Sequence, residues 1–144
     1  VFLLKYYGAS IGKRVTIQSP LIIHNGKKGK ETYQNLVIGD DCYIGRDCIF
    51  DLKDIIQIGN RATISHRAIF NTHTDIGKAN IAFELNNKSW SQIKIGDDVY
   101  IGTNVTILQG TTIGNQSLVG AKSLVSKNIP EKSKSYGVPA KIIT

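Results

Sequence analysis

From Ile95 to Lys127 the chain reads in sixes: IGDDVY IGTNVT ILQGTT IGNQSL VGAKSL VSK. Ile95, Ile101, Ile107, Ile113, Val119 and Val125 hold one phase of the period, and Gly96, Gly102, Gly114 and Gly120 stand directly after four of them. Val99, Val105, Thr111, Ser117 and Ser123 recur four places on. A period of six fits neither the 3.6 residues of a helix turn nor the alternation of one long strand. It predicts very short strands separated by tight turns.

Each six then supplies one flat face, with the aliphatic and the small residue pointing inward, and three faces close one triangular coil. Coils stack at strand spacing, about 4.8 Å. Repeats of this length mark a parallel β-helix. No coil buries its apolar row alone, so the array is stable only as a stack. Glycine after the aliphatic is expected to supply backbone angles that a Cβ would oppose. Cys42 and Cys48 occupy the inward small position of IGDDCY and IGRDCI, which reads as core packing in a reducing compartment and not as a disulfide or zinc site.

The same frame can be followed outward. It begins at Ile11-Gly12 and Ile17, breaks over residues 22–36 around HNGKKGKETYQN, and returns at Ile38-Gly39, Ile44-Gly45 and Phe50. A two-residue slip in DLKDIIQ precedes Ile58-Gly59, Ile64 and Phe70. Residues 1–10 form an apolar and aromatic lead-in, the end of a helix or a cap over the open first coil. Residues 76–94 leave the period and Ile95 resumes it, as expected for a whole surface loop extruded between two coils. Loops of that length are usually functional or disordered. After Lys127 the repeats end, and residues 128–144 read as a tail along the last coils. The whole of 1–144 reads as one all-β domain of β-helix coils with an extruded loop and a short C-terminal tail.

Charge narrows the partners. The formal net charge is +7, yet Lys122, Lys127, Lys132, Lys134 and Lys141 cluster in the last 23 residues against Glu131 alone, while the central coils carry mixed signs. With no nucleic-acid motif beside them, the basic end suits a small polyanionic ligand better than DNA or RNA. No apolar run approaches the ~18 residues of a membrane span, and Val1-Phe2-Leu3-Leu4 is too short for a signal-peptide core. The expectation is a cytoplasmic protein without an integral membrane segment.

His73 stands out chemically. It lies in Asn71-Thr72-His73-Thr74-Asp75, directly before the extruded loop that carries Trp90, the sole tryptophan, and Phe83. In the frame of Ile64 and Phe70 it falls at an outward position, where a neutral imidazole can accept a hydroxyl proton. Asp75 or a backbone carbonyl is expected to hold the other ring nitrogen. Asp51, in the slip, is a candidate to reach an acceptor hydroxyl across a subunit boundary, and Asn71 and Trp90 are candidates to line the acceptor. His66 and His24 read as ordinary surface histidines. The chain has no G-x-S-x-G elbow, no P-loop and no dinucleotide fingerprint.

The run IGDDVYIGTNVTILQGTTIGNQSLVGAKSLVSKNIPEKSKSYGVPAKII resembles hexapeptide-repeat acyltransferases of the maltose and galactoside O-acetyltransferase type, over about three quarters of the chain. The middle, IGNRATISHRAIFNTHTD, resembles members that act in capsule, O-antigen and colanic-acid synthesis. That resemblance implies a left-handed β-helix, where the general crossover rule would give the right hand. It implies acetyl-CoA as co-substrate, no metal, and a homotrimer with each site between two neighbours. It makes His73 the catalytic base and sets Tyr100 where relatives have a channel-lining tryptophan. Gly102 and Thr103 then face the thioester through their amides, while Ala121, Ser126, Lys127 and Lys141 lie along the coenzyme A groove. Tyr100, Lys122 and Thr144 depart from the family pattern. The implied function is acetyl transfer to a hydroxyl of a sugar, free or linked to nucleotide or lipid, in bacterial surface-polysaccharide synthesis. Three alternatives stay open: acetyl transfer to an amino sugar, a zinc hydratase built on three converging histidines, and a non-enzymatic scaffold.

Overall fold

The computed structural model describes residues 1–84 and 88–143. Among these, the short strands sort by position in the repeat into three mostly parallel faces. The first face stacks Ser10–Ile11, Leu36–Ile38, Ile56–Ile58, Ile93–Ile95 and Thr112–Ile113. Thr16–Ile17, Tyr43–Ile44, Thr63–Ile64, Tyr100–Ile101, Leu118–Val119 and Lys134–Tyr136 form the second. Leu21–His24, Cys48–Asp51, Ile69–Asn71, Thr106–Leu108 and Leu124–Val125 form the third. The chain visits them in that order and returns, so consecutive sixes turn corners and each strand pairs with its equivalent in the next coil.

The inward rows are those set by the period. Ile44, Ile64, Ile101 and Val119 are fully buried on one face, and Phe50, Phe70, Ile107 and Val125 on another. The Phe50 and Phe70 rings meet edge to face at 4.7 Å between centroids, a favoured geometry for aromatic pairs. Cys42 and Cys48 are free and buried, as their inward placement requires. Burial pushes both thiols above their ordinary pKa.

Glycine plays a different part from the expected one. Gly39, Gly45, Gly59, Gly96 and Gly102 have ordinary backbone angles, and the left-handed conformation belongs to the residue two places later. Arg14, Asp41, Asp47, Arg61, Arg67, Asp98, Asn104, Gln116, Lys122 and Lys132 all have φ between 52° and 60°. What the glycine provides is proximity: a Cβ on Gly59 would lie 2.7 Å from the Gly96 carbonyl carbon, and one on Gly102 would lie 2.6 Å from the Ala121 nitrogen. Between these positions runs a ladder of side-chain oxygens. The Oδ1 atoms of Asp40, Asn60, Asp97 and Asn115 accept from the amides of Lys13, Asp40, Asn60 and Asp97 at 2.7–2.8 Å, each tying one coil to the next. One residue on, Arg14 pairs with Asp41 and Arg61 with Asp98, each through two nitrogens.

The irregular segments fall slightly off the expected boundaries. Residues 22–24 belong to the third face, because Leu21–His24 pairs in register with Cys48–Asp51, so the first excursion starts at Asn25 and ends before Leu36. The extruded segment begins at His73: His73–Asp75 pairs antiparallel with Lys88–Trp90, and Ile93 and Lys94 are already back on the first face. Residues 85–87 of that loop lie outside the described residues, as does Thr144. The repeats also run past Lys127. Ile129 bridges to Ile113 and Lys134–Tyr136 pairs with the second face, after which Lys141–Ile143 folds back antiparallel. The lead-in is a short helix, Phe2–Tyr6, with Leu4 packed on the core. No helix among the described residues is long and apolar enough to cross a membrane.

Adding one methyl where coils touch should be costly. Gly59→Ala should lose about 1–3 kcal/mol in a urea unfolding series, the range for overpacking a filled site; unchanged stability would mean the coils can separate locally.

Candidate active site

Asp51 ends its strand on the third face, and His24 is its Cα partner in the coil below. One coil above, the face breaks after Asn71, and Thr72 turns the chain out into the ribbon that starts at His73. Three consecutive coils thereby converge on one carboxylate. Asp51 is 3% exposed. Its Oδ2 lies 2.5 Å from His73 Nδ1 and accepts from the Thr72 amide at 3.0 Å. Oδ1 accepts from Asn25 Nδ2 at 2.7 Å and from the Lys53 amide at 3.3 Å. The Thr72 hydroxyl lies within bonding distance of both Asp51 O and Oδ2.

This arrangement decides protonation. Burial alone would raise the Asp51 pKa, but hydrogen bonds from His73, Asn25 and Thr72 and the nearby imidazole outweigh it, so the carboxyl sits below its ordinary value. An ionised carboxylate only accepts, which puts a proton on His73 Nδ1 and leaves Nε2 as the basic nitrogen. The ring is largely enclosed, its side chain 20% exposed. It lines a pocket of about 110 Å³ together with Asn25, Lys53, Thr74, Asp75 and Trp90. A larger trough of about 560 Å³ follows the first face, past Gly59, Gly96 and Gly114, and has no histidine in its lining.

Two expectations change here. Asp51, and not Asp75, holds the imidazole, because the stack puts its strand end directly beneath His73. Asp75 Oδ1 instead accepts from the Gly77 amide within the arm. For the same reason Asp51 is too buried and too fully bonded to be the group that contacts an acceptor. His24 was read as a bystander, yet its ring centroid lies 6.1 Å from that of His73 and its Nδ1 faces Asn25 Nδ2 at 3.2 Å. Placing residues 22–24 in the excursion hides it; aligning LIIH with CIFD sets His24 directly beneath Asp51. Lys53 was also missed, and its Nζ lies 5.3 Å from the centroid of the Trp90 ring.

The remaining candidates sit elsewhere on the prism. Asn71 is half-buried at the end of its strand, opposite Leu108. Ser126 and Lys127 follow Leu124–Val125, on the same edge as His73 but two coils along. Tyr100, Gly102, Thr103 and Ala121 occupy a different corner, at the end of the second face. There the Ser65 and Tyr100 hydroxyls are 3.2 Å apart, and Thr103 shares a cleft of about 230 Å³ with Arg46, Asp47, His66 and Arg67. Lys141 is farther on, opposite Tyr136 in the returning strand. One chain therefore brings His73, Asp51, Asp75 and Trp90 together and keeps Gly102 and its neighbours apart from them. No group of three or more His, Cys, Asp or Glu residues suited to a metal occurs among the described residues.

Comparison with known proteins places this geometry. A family model described as bacterial transferase hexapeptide (six repeats) matches residues 92–127, and one described as hexapeptide repeat of succinyl-transferase matches residues 35–65. A hexapeptide-repeat acetyltransferase of Vibrio cholerae is 28% identical, covering 99% of this chain and 77% of its own, with a TM-score of 0.85. The chain carries hexapeptide repeats and is similar in sequence and fold to hexapeptide-repeat acetyltransferases. A maltose O-acetyltransferase from Clostridium difficile 630 is 27% identical over 99% of this acyltransferase and 72% of its own chain, with a TM-score of 0.84. A galactoside acetyltransferase solved with coenzyme A is 26% identical over 99% and 68%, with a TM-score of 0.85. The Vibrio cholerae protein has also been solved with acetyl coenzyme A. With these the acyltransferase shares the left-handed parallel β-helix. No curated protein matches the chain.

The depressed Asp51 carboxyl makes a pH prediction. A group that binds its proton less readily when folded contributes stability that is present above its ordinary pKa of about 3.9 and is lost as pH falls through the lower folded value. Thermal melts of wild type and Asp51→Asn should therefore differ most above pH ~4 and converge at lower pH. A gap that is constant with pH would show that the carboxylate charge contributes nothing.

Proposed function

We propose that this acyltransferase moves an acetyl group from acetyl-CoA to a sugar hydroxyl, with His73 as general base. The observation that carries this reading is the 2.5 Å contact from His73 Nδ1 to a buried carboxylate, with the ring lining a pocket. His73 Nε2 takes the hydroxyl proton as the sugar oxygen attacks the thioester carbonyl. The tetrahedral oxyanion is stabilised by the backbone N–H of Thr103, since the Gly102 amide already donates to the Val119 carbonyl at 2.8 Å. Its collapse breaks the C–S bond, and the imidazolium returns the proton to the departing thiolate, giving the ester and free coenzyme A. A thioester is already activated, so alignment and one base suffice.

The split between corners supports a shared site. His73 and Trp90 of one chain would meet Tyr100, Gly102, Thr103 and Ala121 of a neighbour, in a closed trimer that gives three equivalent sites. Ser126, Lys127 and Lys141 would follow the coenzyme along the groove, with the lysines toward its phosphates. Basic residues at that end of the chain suit such a polyanion. A role in bacterial surface-polysaccharide synthesis, and hence an acceptor linked to nucleotide or lipid in the cytoplasm, rests on the likeness of IGNRATISHRAIFNTHTD to members with that task.

Thiol release from acetyl-CoA across a sugar panel tests the chemistry. His73→Ala should lose at least ~10²-fold in kcat with folding intact, and Asp51→Asn should lose about tenfold or more; near-normal turnover by the first variant would remove His73 from the mechanism. Mixing tests the shared site. Co-refolding inactive His73→Ala with an inactive Thr103→Trp should restore activity, because some mixed sites draw both intact corners from different chains. No recovery from assembled mixed oligomers would sink that arrangement.

A further inference from the structure

Resting on the acceptor reading above, we propose that the sugar carries an anionic group, a carboxylate or a phosphate, which pairs with Lys53. Lys53 follows the turn directly after the buried carboxylate, and its own amide donates to Asp51 Oδ1 at 3.3 Å, which fixes its Cα beside the base. From there the side chain reaches the wall of the pocket, where its ammonium lies 5.3 Å from the centroid of the Trp90 ring. The negative face of an indole orients such a cation without neutralising it. A flexible head is thus held at one place while keeping its charge.

The carboxylates around it are committed elsewhere. Asp51 is buried beneath His73, Asn25 and Thr72. Asp54 Oδ1 accepts from the Ile55 amide at 2.7 Å, and Asp75 Oδ1 accepts from the Gly77 amide at 2.9 Å. No carboxylate oxygen among the described residues comes within 4.0 Å of the Lys53 ammonium. Beside the pocket stand the imidazoles of His73 and His24, neither of which carries a negative charge to repel a bound anion. A neutral hexose would use the indole and the base and leave the ammonium without a partner. An acidic one engages all three, and a charge-assisted hydrogen bond is about twice as strong as a neutral one.

Trp90 is the sole tryptophan, so its emission reports occupancy of this pocket directly. The assembled protein should be titrated with glucose, glucuronate and glucose 1-phosphate. At least one anion should perturb the emission at a concentration about tenfold or more below glucose, and that advantage should shrink as salt rises. Lys53→Gln should abolish the advantage while leaving the glucose titration as it was. The better anion then says whether the group is a carboxylate or a phosphate. Equal titration by all three sugars, or an advantage that survives Lys53→Gln, overturns the proposal. These titrations need no acyl donor, so the two readings fail separately. Anion-selective binding without thiol release would remove the transfer reading alone, and thiol release with no anion preference would remove this one alone.

Discussion

The spacing between coils governs this molecule. Adjacent strands are held at hydrogen-bonding distance on all three faces at once, and the corners must close to the same distance. Where they turn, the repeat puts a residue with no side chain against the backbone of the next coil, because a Cβ there would sit at 2.6–2.8 Å from it, as at Gly39, Gly59 and Gly102. The left-handed turn itself is made two residues later by arginine, aspartate, asparagine, glutamine or lysine. That conformation is uncommon for such residues. It is tolerated because the ladder of Asp40, Asn60, Asp97 and Asn115 and the coil-to-coil backbone bonds hold each corner from both sides.

Chemistry appears where that regularity lapses. His73 and the arm arise where the third face breaks after Asn71, and Asp51 stands at the slip before Ile56. A strictly periodic prism has outward-facing side chains at fixed intervals and no concavity to gather them. By releasing the chain at Thr72 and pairing His73 with Trp90 across a two-stranded ribbon, the fold raises a wall beside one edge. The Gln109 side-chain amide, one coil on, lies 2.7 Å from the Ser89 hydroxyl and fastens that wall to the prism. The rigid stack then does for the base what an active site needs, since Asp51 and His73 come from successive coils whose separation is fixed.

Much of this could be read from the letters. The six-residue period set the three faces and the buried rows, the place of Cys42 and Cys48, and the edge carrying His73. It did not reveal which residue holds His73, because partners across coils are set by register, and register depends on where each interruption begins and ends. Shifting the start of the excursion from Asn25 to Ile22 was enough to remove His24 from the column above which Asp51 sits. The role of glycine was misjudged for a related reason. Local conformational preference is visible in one sequence window, whereas the approach of a second coil is not. Lys53 has no periodic signal, and only the folded arm gives it Trp90 as a neighbour.

Along one edge the ionic residues alternate: Arg14, Asp41, Arg61, Asp98, with each cation bridging to the anion of the following layer. Such pairs are exposed and add little to the depth of the native well. Their order nevertheless gives the edge a parity. Slippage by a single layer, or loss of one, would set arginine against arginine or aspartate against aspartate, and directly opposed like charges are unfavourable. A repetitive sequence whose layers are otherwise interchangeable thus carries, in four side chains, a means of rejecting its own frame-shifted assemblies.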